Sequence, residues 1–384
     1  MLKELFERKK KDLLLFCGFS AIVLVYEMII ALTVFLFNNF PFNKPLSNPF
    51  YQLIRWDSLI YLDILKNGYT LDTAKCFPLY PILVKFFSLF SGDAILAGLF
   101  VSWTSLVFAL FYFWKLLNIS DSIETSKRTL LLLLFFPSAI FFSTIYTESL
   151  FLALTIAFFY YLKKENWAIA AVLGLFAASA RTVGVFLFAV MLFRYWEIFH
   201  SLPLFGKLGR ERLREKLKFL FLSLCIPLGM ALYCLFCYFT LGHPFAFFSA
   251  QKTWQYRVFD WPWGVFLSFF KVIFVERAAQ THFDYFFRAV IIDASSFLLL
   301  LAATVYFFCK KENLYGVFCG LNLLMFSTMF PMISVNRYVL IAFPIYLFIA
   351  RAAKKETVFF SILAFFMVFF VFTAYVFSRG AWAG

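Results

Sequence analysis

From Leu13 to Asn38 the chain runs for 26 residues with one charged side chain, Glu27. A helix of that length measures about 39 Å, more than the ~30 Å hydrocarbon core of a bilayer. Such a helix needs either lipid or an equally apolar partner around it. Most of the rest of the chain is equally apolar. Of 384 residues, 63% are hydrophobic and 15% charged, and the mean hydropathy is +0.85. That charge is too little to clothe a water-soluble fold of this size. In hydrocarbon a helix satisfies its own backbone groups. The expected class is therefore an all-α polytopic membrane protein.

Apolar runs of roughly 15–26 residues predict spans at 13–38, 94–117, 129–146, 147–162, 167–180, 182–199, 219–241, 287–309, 314–330, 339–351 and 357–377. The result is a bundle of about 11 transmembrane helices in one integral membrane domain covering 1–384. The basic N-terminus and the run after it, which lacks a small-residue cleavage site, read as a retained anchor. Polar residues concentrate in loops 39–93, 200–218 and 242–286.

The net charge of +14 is read as topology. Alternate connections, including the two Lys-Lys-Glu-Asn turns and the basic loop 200–218, carry 22 of the 35 Lys and Arg in about 65 positions. The other connections carry the remaining 13 in about 124 positions. Basic loops stay cytoplasmic, so loops 39–93 and 242–286 are expected outside. No nucleic-acid partner is needed to explain the charge. Of seven cysteines only Cys76 falls in an expected outer loop, which leaves no exterior disulfide framework. The three histidines are far apart, and no metal-ligand spacing appears.

The first outer loop is too elaborate for a connector. Apolar residues between Leu59 and Leu65 predict a short amphipathic helix, with Asp57 placed to cap it and Gly68 to stop it. A second helix is expected from Pro78 or Pro81. Both would lie on the outer membrane surface. Asp57 and Asp63 fall about 120° apart on a helix, so they form no carboxylate pair. Glu148 sits at an outer turn, read either as a solvated tip or as part of a site. Arg181 and Arg337 lie at the outer face, against the basic-inside trend. They suit a lipid phosphate, or else snorkel to headgroups. The aromatic loop around Trp254, Trp261 and Trp263 fits either a membrane interface or sugar stacking. Glu27 must pair inside the bundle or be protonated.

Taken together, "RWDSLIYLDILKNGY", "CFPLYPILVKFFS", "FPSAIFFSTIYTESLFLALT", "AASARTVGV", "GHPFAFFSAQKTW" and "SVNRYVLIAFPIYL" resemble, in order, the blocks of PIG-V-type mannosyltransferases, the GPI mannosyltransferase II family. The resemblance implies a GT-C fold with its active site at the outer face. It implies mannose transfer from a polyprenyl-phosphate donor; displacement of a phosphate requires no metal, and no cofactor is expected. By position in the blocks it implies Asp57 as catalytic base; Arg181 and Arg337, suited to a lipid phosphate, fall in its other blocks and are expected at the donor phosphate. Arg55, Trp56, Glu148, His243, Gln251 and Trp254 are carried over as substrate-binding candidates. The chain is shorter than typical eukaryotic members, which points to a prokaryotic cell membrane and an acceptor other than GPI. Two other classes stay open: a polyprenyl-linked sugar transporter or flippase, and a non-catalytic glycolipid-binding subunit. A transporter would place its polar groups near the midplane. Here, apart from Glu27, they gather at outer helix ends.

Overall fold

A computed structural model describes residues 2–39, 49–200, 207–255, 258–265, 267, 292–330 and 334–381. The regular structure of the described chain is helical, apart from a two-residue pairing of β1 (Val258–Phe259) with β2 (Met329–Phe330). Among the described residues, five helical stretches are long and apolar enough to cross a membrane: Lys9–Phe37, Ala94–Leu117, Thr182–Phe199, Leu213–Leu241 and Glu356–Ser378. Shorter apolar helices occupy Leu79–Ser91, Trp167–Ala180, Ala294–Cys309 and Asn313–Ser327. Their outer surfaces carry large apolar side chains; Leu24, Val25, Met28 and Ile29 of the first helix are all more than half exposed. Water would penalise that surface and lipid would not. The protein is a polytopic helical membrane protein.

The chain divides into two compact units. The first comprises Met1–Gly68, Leu79–Tyr160 and Ala350–Ala383. It contains α1 (Leu2–Asn39), α2 (Asp57–Asn67), α3 (Leu79–Ser91), α4 (Ala94–Leu117), α5 (Ile123–Leu134) and most of α6 (Glu148–Lys163). The last helix, Glu356–Ser378, belongs to it as well and packs on α1. Gly68, at φ +83°, ends α2 as expected, and α3 begins directly after Pro78. Glu27 is fully buried on α1, with the Ser143 hydroxyl facing it.

The expected span 129–146 is not one helix. α5 ends at Leu134, and Pro137 cannot continue a helical hydrogen-bond ladder. Residues 135–147 then follow irregular turns with one 3₁₀ turn, Ala139–Phe142, and almost every side chain buried. Irregular backbone buried in an apolar bundle survives only where protein supplies its partners. Tyr26 donates to the Leu134 carbonyl (2.7 Å), Trp103 Nε1 to Ser143 (3.2 Å) and Ser102 Oγ to Thr144 (2.7 Å). Ser149 Oγ bonds back to Phe142 (2.9 Å).

The second unit comprises Tyr69–Pro78 and Tyr161–Ile349, with Gly384. It holds α7 (Trp167–Ala180), α8 (Phe186–Phe199), α9 (Lys207–Ser223), α10 (Cys225–Leu241), α11 (Ala246–Gln255), α12 (Ala294–Cys309), α13 (Asn313–Ser327) and α14 (Val335–Val339). The expected basic loop 200–218 is largely the start of α9; its residues 201–206 lie outside the described set. Most of the expected outer loop 242–286 beyond Gln255, residues 40–48 of the first outer loop and the start of the expected span 287–309 also lie outside it. α7 and α10 pack at close range through glycine. A Cβ at Gly229 would sit 2.3 Å from the Leu175 carbonyl oxygen, and one at Gly174 would strike Ile226. Small residues are what such contacts between membrane helices require.

Candidate active site

The Arg-Trp-Asp stretch of the first unit is held by one phenol. The Tyr146 hydroxyl accepts the Asp57 N–H (3.3 Å) and donates to the Arg55 carbonyl (3.2 Å). Between those two residues Trp56 has φ +51°, a region that costs a bulky residue about 1–3 kcal/mol. Its indole N–H donates to the Ala381 carbonyl (3.3 Å). Trp56, not Asp57, therefore stands at the N-cap of α2. The reversed backbone twist at Trp56 starts the helix one residue earlier than apolar periodicity places it. Asp57 is the first helical residue and is half-buried, its negative charge in the favoured first turn. Asp63 lies on the exposed side and accepts from Asn67 Nδ2 (2.6 Å), so the two aspartates stay apart as expected.

Tyr146 also anchors the next block. Two residues on, Glu148 begins α6 and is fully buried, so it is not a solvated loop tip. The Tyr80 hydroxyl bonds the Ser102 hydroxyl (2.8 Å) and the Gly98 carbonyl (3.0 Å). Ser102 in turn reaches the Thr144 carbonyl. Residues 55–57, Tyr80, Ser102 and residues 143–148 form one hydrogen-bonded assembly built from four separate stretches of the chain.

The arginines belong to the second unit. Arg181 ends α7 in extended conformation (φ −154°), its N–H bonded to Ala177 (3.1 Å), and the 3₁₀ turn Thr182–Val185 follows. Gly184 makes that turn possible, because a Cβ there would lie 2.2 Å from the Ala177 carbonyl oxygen. The half-buried Arg181 guanidinium sits 5.5 Å from the Tyr338 ring centroid, a cation–π distance. Arg337, next to Tyr338, is only 6% exposed. It is not a snorkelling side chain; the fold keeps it inside. The preceding residues show why. Ser334 has φ +66°, and the buried Asp293 carboxylate accepts the N–H groups of Ser334 (3.0 Å) and Asn336 (3.1 Å). Asn336 Oδ1 then accepts the Arg337 N–H (2.7 Å).

The remaining candidates surround α11. His243 is exposed, and its Nδ1 accepts the Phe245 N–H (3.1 Å) in the turn leading into α11. Gln251 is half-buried on α11; the Trp254 side chain lies outside the described set. Ala246, Phe247 and Ala250 of this helix share a buried cluster with Ala74, Phe77 and Tyr233. The Tyr233 hydroxyl reaches the Ala74 (2.5 Å) and Cys76 (3.2 Å) carbonyls, and Tyr69 donates to Cys76 (3.0 Å). Burial pushes the Tyr69 phenol well up, so it remains a donor. Residues 243–251 are thus fastened to the connection Tyr69–Pro78.

Asp57, Arg55, Trp56 and Glu148 fall in one unit, and Arg181, Arg337, His243 and Gln251 in the other. Sequence reasoning missed Tyr146 and Asp293. Asp293 carried a readable signal, since an acid inside an apolar run is functional by default. Tyr146 gave none among 19 tyrosines. Among the described residues no group of three or more His, Cys, Asp or Glu could hold a metal ion.

Residues 12–272 match the family described as Mannosyltransferase (PIG-V). A 186-residue stretch is 29% identical to GPI mannosyltransferase 2 of Schizosaccharomyces pombe; it covers 47% of this chain and 38% of that protein. The family match takes in Asp57, Tyr146, Glu148, Arg181 and Gln251, while Asp293 and Arg337 follow it. With well over half of its length inside that match, the chain belongs to the PIG-V mannosyltransferase family.

Proposed function

We propose that the protein transfers mannose from a polyprenyl-phosphate-mannose donor to a lipid-linked or glycan alcohol, at the non-cytoplasmic face of its membrane. The observation that carries the reading is the setting of Asp57. The residue is half-buried, and its backbone is fixed by Tyr146 beside a fully buried, polar segment. A group that must meet an incoming hydroxyl needs both access and a fixed origin. The family and the named relative support mannose as the sugar. The charge asymmetry of the loops supports the face.

In this reading the acceptor oxygen attacks the anomeric carbon and gives its proton to the Asp57 carboxylate. The bond from that carbon to the donor phosphate oxygen breaks, and its electron pair stays on the phosphate. A phosphate leaves as a stable anion, so no strong acid is needed behind it. Arg181 and Arg337 hold the phosphate and offset the charge that grows there. Direct displacement inverts the anomeric centre.

The test is transfer by the purified full chain in lipid vesicles, with radiolabelled polyprenyl-phosphate-mannose and a membrane lipid extract. A labelled, lipid-extractable product identified by mass spectrometry supports the reading. Label that crosses the bilayer unchanged points to a flippase, and binding without transfer to a glycolipid-binding subunit. Normal transfer by a folded Asp57→Asn protein removes the base from Asp57.

A further inference from the structure

We infer that Asp293 is a positioning residue that sets Arg337 in place to hold the donor phosphate; the inference rests on the phosphate reading of Arg337 given above. The carboxylate is 5% exposed and engages one backbone N–H with each oxygen, Ser334 with Oδ2 and Asn336 with Oδ1. These are charge-assisted bonds, roughly twice as strong as neutral ones. They straddle Val335 and pin the start of a turn whose own backbone bonds run from Arg337 and Tyr338 back to Ser334. Ser334 is left-handed, a conformation that only Gly and, less often, Asn or Asp adopt freely. α14 is a single five-residue turn, too short to hold itself. Its Arg337 is nonetheless 6% exposed and held in register by Asn336. An arginine that must meet a phosphate from a buried position has little freedom to search for it. Its direction is set by the turn beneath it, and the turn is set by Asp293.

The placement of this acid is also costly unless it does something. Asp293 precedes the apolar helix α12 and is taken out of water by its surroundings. A buried carboxylate is tolerated when its oxygens are engaged. Here they are engaged by the backbone of the segment that carries Arg337, across 41 and 43 residues of sequence. Adjacent Tyr338 takes part as well, with the Arg181 guanidinium over its ring. Asp293 thus acts on the neighbourhood of both arginines while bonding backbone amides.

The experiment uses the full chain in lipid vesicles, with polyprenyl-phosphate-mannose as donor. Steady-state kinetics and amide hydrogen exchange over residues 334–337 are measured for Asp293→Ala, Asp293→Asn and Asp293→Glu, with Arg337→Ala alongside. Asp293→Ala is expected to raise donor KM on the order of 10-fold or more. Its kcat and acceptor KM should change much less, and exchange at Ser334 and Asn336 should accelerate. Asp293→Asn keeps one acceptor oxygen and should fall between, which preserves the test if the alanine variant fails to fold. Asp293→Glu should recover part of the donor KM. In Asp293→Ala, Ser334→Gly should recover part of it too, because glycine takes the left-handed turn without help. A normal donor KM in Asp293→Ala, with a raised one in Arg337→Ala, overturns the inference and leaves the phosphate reading standing. A normal donor KM in Arg337→Ala overturns the phosphate reading itself, whatever exchange shows at Ser334. Equal losses in kcat, donor KM and acceptor KM without faster exchange would mark Asp293 as a general stability residue, and that too overturns it.

Discussion

Two turns present the charged groups of this protein, and they are built in opposite ways. At residues 55–57 a tryptophan at positive φ is bracketed by one neutral phenol, and the half-buried Asp57 follows. At residues 334–337 a left-handed serine is held by a buried carboxylate, and the nearly buried Arg337 follows. Both place a residue with a Cβ where glycine is the natural occupant, so both store strain that tertiary contacts must offset. The difference lies in what does the holding. A carboxylate beneath Asp57 would repel the group it positions and raise its proton affinity. Beneath an arginine turn the same negative charge is favourable. The group bonded to the aspartate turn is neutral, and the one bonded to the arginine turn is a carboxylate.

The largest expected effect separates the two turns by kinetic role. Asp57→Asn should lower kcat by ~10²–10⁴-fold, with donor KM little changed. Arg337→Ala should act mainly on donor KM. Steady-state kinetics with both substrates varied read the contrast directly. If both variants fall equally in kcat and KM, the division of labour is wrong. If Asp57→Asn affects only the acceptor KM, Asp57 binds the acceptor and does not take its proton.

Gly184→Ala should have the next largest effect and sharpens the arginine side alone. The added methyl meets the Ala177 carbonyl at 2.2 Å, so the Arg181 turn has to move. Overpacking of this kind costs about 1–3 kcal/mol, read as a lower midpoint of thermal unfolding. Because Arg181 ends the helix against which Gly184 packs, donor KM should rise with it. A variant as stable as the parent but with a raised donor KM would mean that the turn shifts at no cost to folding.

How much of this could be read in the sequence differs between the two turns, and the reason is range. Hydropathy alone gave the membrane class, and helices α4 and α7 run from 94 to 117 and 167 to 180 as the apolar runs require. Gly68 announced the end of α2 because its role is local. Arg181 and Arg337 stand out as charges at the ends of apolar runs, and Asp57 as an acid at the head of a short amphipathic helix in the first outer loop. What holds them does not. The bonds from Tyr146 span 89 and 91 residues, and those from Asp293 span 41 and 43. Composition carries no signal at that separation. The break at 135–147 was hidden for another reason. Buried irregular chain is as apolar as buried helix, so one unbroken span from 129 to 146 was the natural reading. Pro137 was the available clue. The burial of Glu148 follows from the same break, which brings α6 into the interior at its first residue.

The smallest effect tests the neutral support. Tyr146→Phe keeps the ring, which packs 5.2 Å from Phe141, and removes only the hydroxyl. The Arg55 carbonyl and the Asp57 N–H each lose a partner. A neutral hydrogen bond of this kind contributes about 1 kcal/mol to stability, so the unfolding midpoint should fall slightly. The consequence for chemistry should be larger than that for folding. With the bracket gone, Trp56 is free to relax toward ordinary φ, which turns Asp57 at the head of α2. Since a general base works only at hydrogen-bond distance, kcat should fall by roughly 10-fold while donor KM holds. Donor KM should instead respond to Asp293→Ala, so the two supports are distinguished by which constant each one moves. A Tyr146→Phe protein with lowered stability and unchanged kcat would show that the phenol merely fills a hydrogen-bonding vacancy. The resemblance between the two turns would then be one of positive φ alone, without a shared purpose.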